Sequence, residues 1–99
     1  MSAPIAEVFR PEGALTILGR VEPVLEEGRR RLAAGDVSID LSALVEADSV
    51  VVAMLLDWQR AARRAGHRLE IRALPDGLQS LADLYGVDGL LAPAGEEAR

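Results

Sequence analysis

The chain has 99 residues, with eleven basic residues, all arginine, against sixteen acidic residues, and a formal net charge of −5 at pH 7. Hydrophobic residues make up 49% of it, which suffices for one packed core and argues against disorder, while the length is too short for two cores. We therefore expect a single domain over residues 1–91 and a flexible tail over residues 92–99.

Several classes of function are disfavoured by what the chain lacks. Without cysteine or lysine there is no disulfide, thiolate zinc site, thiol nucleophile or phosphate-loop lysine. The one histidine, His67, falls in a predicted turn, and the acidic residues form no metal-ligand cluster. The negative charge and three aromatic residues disfavour nucleic acid as a partner. We expect no enzyme activity, no cofactor and no metal.

The chain also lacks a membrane signal. Its longest uninterrupted apolar run, residues 50–56, is far shorter than the ~20 residues that span a bilayer. The first residues do not show the basic-then-apolar pattern of a signal peptide. A cytoplasmic location is expected.

The N-terminal half predicts two strands, a helix and a third strand. Residues 5–10 and 14–18 are typical of short strands, and the Pro-Glu-Gly of residues 11–13 predicts a hairpin turn between them. Apolar residues at helical spacing over residues 21–32 predict a helix, with Gly28 on its apolar face. Strict alternation over residues 37–41 predicts a half-buried strand.

The C-terminal half continues the alternation of helices and strands. A long helix is predicted to follow Asp48-Ser49 and to run to about Ala65, with Gly66 as its C-cap. Residues 69–73 predict another strand, and Pro75-Asp76 opens a third helix that ends at Gly86. A short apolar stretch follows over residues 87–91.

This element order predicts an α/β fold in two layers. Strands separated by helices imply parallel neighbours, and the predicted hairpin adds one antiparallel edge. Because the strands alternate instead of being apolar throughout, we expect helices on one face of the sheet only. The expected architecture is a mixed, mostly parallel four-stranded sheet opened by a β-hairpin, with helices packed on one face.

The helix after Asp48 carries apolar residues outside its main apolar face. Ser49, Val52, Ala53 and Leu56 recur at helical spacing on the same side as Arg60 and Arg63. One interpretation is a helix whose first half is buried on all sides. The other is a partner-binding surface, apolar at its centre with an arginine rim. Ser49 also has two interpretations, as a helix N-cap and as a phosphorylation site at the positive helix end.

These features resemble the STAS domain family. The resemblance rests on the element order, the strand Val-Ser-Ile-Asp-Leu-Ser at residues 37–42 and the Ala-Asp-Ser at residues 47–49, and it covers nearly the whole chain. Residues 53–66 and 78–91 look like the MlaB branch. Anti-sigma-factor antagonists, another branch, usually carry glycine two positions after the regulatory serine, where this chain has Val51.

The resemblance implies a role in binding. MlaB-type domains are small non-catalytic subunits that bind and support the cytoplasmic ATPase of the Mla phospholipid ABC transporter, which maintains outer-membrane lipid asymmetry. By this resemblance Ser49 belongs to the contact with the ATPase, and the domain reaches the inner membrane only through its transporter partner. The alternative implied by the antagonist branch is an anti-sigma-factor antagonist regulated by phosphorylation of Ser49.

Overall fold

The computed structural model of the protein describes residues 4–80. This part of the chain alternates short strands with two helices. In chain order the elements are β1 (Val8–Phe9), β2 (Gly13–Leu15), α1 (Glu22–Ala34), β3 (Val37–Asp40), β4 (Leu44–Ala47), α2 (Val50–Ala65), β5 (Leu69–Arg72) and a 3₁₀ turn (Asp76–Leu78).

The described strands pair only in parallel. β3 lies at the centre of a three-stranded sheet of order β1-β3-β5, and β2 pairs with β4 as a second unit. Val8 lies opposite Ser38, and Ser38 opposite Glu70. The mixed α/β class with parallel strands and two helices is confirmed.

The predicted hairpin is wrong, and β4 was not predicted. β1 and β2 do not pair with each other. β1 pairs in parallel with β3, and β2 pairs in parallel with β4. Pro11 lacks the N–H that a strand ladder needs, and Gly13 adopts a φ of +84°. Residues 11–13 therefore interrupt an extended segment instead of reversing it.

The three-stranded sheet has one apolar face. Phe9, Val37, Ile39 and Ile71 are buried on it, in the same core as both helices. The residues between them, including Val8 and Asp40, alternate onto the other face, as the period of a strand requires. Ser38 of β3 is an exception: it lies on this other face and is only 1% exposed, so the expectation of a strand buried on one face only is wrong at this position.

The two helices pack closely through Trp58. Its side chain is fully buried, its indole N–H donates a 3.0 Å hydrogen bond to the Leu25 carbonyl of α1, and its ring meets Phe9 edge to face at 6.3 Å. The α2 C-terminus follows the prediction, with Gly66 at a left-handed φ of 73°. Of the third predicted helix, only its beginning at the 3₁₀ turn is described. The remainder, the stretch at 87–91 and the tail lie outside the described residues.

Candidate docking surface

The N-terminus of α2 is capped by Asp48 and not by Ser49. One carboxylate oxygen of Asp48 accepts a 2.9 Å hydrogen bond from the Val50 N–H. Ser49 has helical dihedral angles and makes no side-chain capping bond, so the interpretation of Ser49 as the capping side chain is wrong. Its hydroxyl is exposed and makes no hydrogen bond with the described residues. It is therefore free to contact a partner.

The second carboxylate oxygen of Asp48 holds a neighbouring turn. It accepts a 2.9 Å hydrogen bond from the Ile17 N–H, and the Asp48 N–H donates to the Leu15 carbonyl at 3.3 Å. The turn of residues 16–19 is closed by a 3.0 Å bond from the Gly19 N–H to the Thr16 carbonyl. One side chain thus fixes this turn against the start of α2.

The predicted stripe along α2 is only partly available to a partner. Ser49, Ala53, Arg60 and Arg63 are exposed, and Leu56 is half-buried against the core. Val52 is 2% exposed and belongs to the core, so its assignment to the partner surface is corrected. The Val52 side chain packs in the core and so does not lie on the exposed part of the stripe.

Two exposed apolar residues escaped the sequence analysis. Ile17 is 72% exposed and Leu18 is 95% exposed, although both were placed in a predicted strand. Side chains alternate along a strand, so two adjacent apolar residues cannot both face the same core. The adjacent apolar residues Ile17 and Leu18, directly before Gly19, were the sequence feature that could have indicated an exposed turn instead of a strand.

Four arginines of the described residues have no ion-pair partner among them. Ten arginines lie in residues 4–80, and six of them form ion pairs with carboxylates: Arg10, Arg29, Arg30, Arg31, Arg68 and Arg72. The other four make no ion pair or hydrogen bond with described residues: Arg20, Arg60, Arg63 and Arg64. One follows the turn of residues 16–19 and three lie on α2.

An ion pair with two hydrogen bonds joins the two helices. The Arg29 guanidinium donates two hydrogen bonds to the Asp57 carboxylate, at 2.7 and 2.5 Å. These bonds hold the pKa of Asp57 below its usual value of 3.8. Arg60 and Arg64 lower the pKa of Asp57 further through their charge, without touching it. The Asp57 carboxylate is therefore already paired with Arg29 of α1.

The described residues form no cluster typical of a metal site. Among residues 4–80 no three histidine or acidic side chains lie close enough to hold a metal ion. The His67 Nδ1 lies 2.5 Å from the Leu32 carbonyl of α1, so this ring links the ends of the two helices. No helix in the same part of the chain has the length and apolarity needed to cross a membrane.

A mixed α/β fold with parallel strand pairs and an exposed serine at the start of its second helix is what the resemblance to STAS domains, which are generally regulatory or binding domains, implies. Comparison with known families agrees. The chain belongs to the MlaB-type STAS family, because the family model described as "Mlab, STAS domain" matches residues 5–92.

One solved structure supports the fold. The unphosphorylated anti-sigma factor antagonist SpoIIAA is similar over 92% of this chain and 82% of its own, with a TM-score of 0.56 and 16% sequence identity. At that identity the likeness concerns the fold alone. None of the curated proteins compared with the chain matches it significantly.

Proposed function

We propose that this protein is a non-catalytic subunit that binds and supports the cytoplasmic ATPase of an Mla-type phospholipid ABC transporter, and so helps to maintain outer-membrane lipid asymmetry. It would be cytoplasmic and peripheral to the inner membrane through that partner. The observation that carries the proposal is the match of the MlaB-type family over residues 5–92. The exposed residues of α2 around Ser49 provide the surface that such a contact needs.

The chemistry of that surface suits binding. Ser49 offers a free hydroxyl, Ala53 one turn later allows a partner's backbone to come close, and Arg60 and Arg63 border the far end. Arginine at the edge of an apolar patch is common at protein interfaces. Together these residues lie on one side of α2 along about four turns of the helix.

A second function is favoured by one observation. The Ser49 hydroxyl is exposed and has no hydrogen-bond partner among the described residues, as a kinase substrate requires. Phosphorylation there would place negative charge at the positive end of α2. This supports the alternative, an anti-sigma-factor antagonist switched by phosphorylation of Ser49. Val51, at the place of the usual glycine, is fully buried and gives a kinase no glycine to recognise.

The test is co-purification with the cognate ATPase subunit, followed by ATP hydrolysis with and without this protein. We expect a stable complex that wild-type protein forms and Ser49→Glu does not, because docking would bury an unpaired carboxylate. Ser80→Glu is the matched control, since Ser80 is exposed and lies outside the proposed surface. Undiminished binding by a folded Ser49→Glu variant would place the interface elsewhere. Capture of a serine kinase instead of the ATPase would favour the alternative.

A further inference from the structure

The turn of residues 16–19 presents the most exposed large apolar side chain in the described part of the chain. Leu18 is 95% exposed and the adjacent Ile17 is 72% exposed. Single apolar residues on a surface need no explanation, but two in sequence on one tight turn form a small projecting patch. Neither Ile17 nor Leu18 belongs to the hydrophobic core of residues 4–80.

This turn is held in place instead of being left loose. Asp48 accepts hydrogen bonds from the Ile17 N–H and from the Val50 N–H, both at 2.9 Å, and its own N–H reaches the Leu15 carbonyl. The same carboxylate therefore fixes the turn and the first residues of α2 relative to each other. A surface whose parts are fixed in advance loses less conformational entropy when it binds.

Unpaired positive charge lies on the same elements. Arg20 directly follows the turn, and Arg60 and Arg63 lie on the exposed stripe of α2; none of the three makes an ion pair within residues 4–80. The chain as a whole has a net charge of −5. Unpaired cations at both ends of this surface, Arg20 beside the turn and Arg60 and Arg63 in the C-terminal half of α2, are complementary to a partner surface that carries carboxylates.

We propose that the turn of residues 16–19 is the apolar half of the docking surface, and that the ATPase partner offers an apolar recess bordered by carboxylates. Leu18 and Ile17 enter the recess, the stripe of α2 lies beside it, and Arg60 and Arg63 meet the acidic border. Asp48 acts as a positioning residue that keeps the two halves in register. This proposal rests on the proposed function and adds to it the residues and chemistry of recognition.

Two other occupants are less compatible with these charges. An anionic membrane surface extends well beyond this surface and so also faces the acidic remainder of a chain with net charge −5, whereas the border of a protein recess meets only the local arginines. A second copy of the chain, docked through this same surface about a two-fold axis, would set one arginine-rich face against another. A separate protein with an acidic border has neither penalty.

The apolar half is tested with the Leu18→Ser variant, whose Kd for the purified ATPase subunit is measured by titration. We expect the Kd to rise about tenfold or more, a loss of about 1.4 kcal/mol of binding free energy or more, because the Leu18 side chain fills the recess. The thermal stability of the Leu18→Ser variant should equal that of wild type, since Leu18 is exposed. Val8→Ser is the matched control: Val8 is 44% exposed on the outer face of β1, away from α2, and its variant should bind like wild type.

The charged border is tested with the double variant Arg60→Ser, Arg63→Ser across a range of salt concentrations. Wild-type binding should weaken as salt rises, and the double variant should bind less tightly and depend less on salt. Arg30→Ser is the control, because Arg30 is already paired with Glu27 on α1. Equal salt dependence of the double variant and wild type would overturn the acidic border.

The outcomes separate this inference from the proposed function. If wild type binds the ATPase and Leu18→Ser binds equally well, the turn is not part of the interface and the proposed function stands. If wild type does not bind the ATPase, both fail. Binding to vesicles of anionic lipid, or a concentration-dependent dimer in sedimentation, that is lost in Leu18→Ser would assign the turn to a membrane or to a second copy, and would overturn the protein recess.

Discussion

Gly28 of α1 lies directly against the indole ring of Trp58 on α2. A Cβ atom added at Gly28 would meet Trp58 Cε2 at 2.5 Å and Cζ2 at 2.8 Å, with Nε1 closer still. These distances are shorter than any real carbon contact, so the two helices approach each other only because position 28 has no side chain. The tryptophan cannot retreat easily, because its N–H is bonded to the Leu25 carbonyl.

Gly28→Ala should therefore destabilise the protein, although alanine is the better helix former. The gain in helix propensity is about 1 kcal/mol, and the cost of overpacking a close contact is typically ~1–3 kcal/mol. Because the added Cβ would lie closer to the ring than real carbon contacts, the cost falls at the upper end of this range, and we expect a net loss of about 2 kcal/mol in the free energy of unfolding, measured by urea denaturation. Gly35→Ala is the control, since a Cβ there meets nothing within 4 Å. A Gly28→Ala variant as stable as wild type would contradict the packing described.

Asp48 and Ser49 should differ sharply when each is replaced by alanine. Asp48→Ala removes the acceptor for two backbone N–H groups and should cost about 1–2 kcal/mol. Ser49→Ala removes no hydrogen bond and should change stability by less than about 0.5 kcal/mol. Thermal melts of the two variants side by side check this. A larger loss from Ser49→Ala than from Asp48→Ala would restore serine as the cap.

Asp57 should make the stability depend on pH. Its pKa is lowered in the folded state by the hydrogen bonds from Arg29, so its contribution is present above its unfolded pKa and is lost as pH falls through the folded pKa. Asp57→Asn should thus be less stable than wild type at pH 7, and the difference should shrink in acid. Denaturation curves between pH 7 and pH 2 measure it. Glu12→Gln, at an exposed carboxylate without an ion pair in residues 4–80, should not show this convergence.

Ala73 is the one non-glycine residue with positive φ in the described chain, at 60°. This conformation costs an L-residue with a Cβ about 1–2 kcal/mol, while glycine adopts it without strain. Ala73→Gly should raise the free energy of unfolding by about 0.5–1 kcal/mol after the added chain entropy is counted. Ala33→Gly, on the exposed side of α1, should lower it by a similar amount. Loss of stability in both variants would exclude strain at position 73.

The sequence predicted the long elements well because their signals are local. The helix predicted to follow Asp48-Ser49 and to run to about Ala65 is found at Val50–Ala65, and the strand predicted over residues 37–41 is β3, Val37–Asp40. Gly28, which the helical spacing placed on the apolar face of α1, does face the core, where it meets the Trp58 ring. Each of these features is set by neighbours within a few residues or by a single missing side chain.

The errors arose where distant parts of the chain decide the structure. Nothing local in Pro11-Glu12-Gly13 tells a hairpin turn from a break between two strands that pair elsewhere. Likewise Val52 fits an exposed stripe in helical projection, and only the packing of the sheet buries it. The role of Asp48 required knowing that Ile17 lies beside it, thirty-one positions away. Which residues form the docking surface remains a prediction.

The parallel pairing has a consequence for how the chain folds. Val8 pairs with Ser38, Gly13 with Leu44 and Val37 with Leu69, so each pairing joins residues about thirty positions apart. A hairpin would have allowed the first two strands to meet within microseconds, whereas these strands must wait for a long loop to close. During synthesis from the N-terminus, β1 and β2 leave the ribosome without strand partners until β3 and β4 follow. The order of translation thus releases helix α1 before any strand pair can form, whereas its packing partner α2 follows β3 and β4.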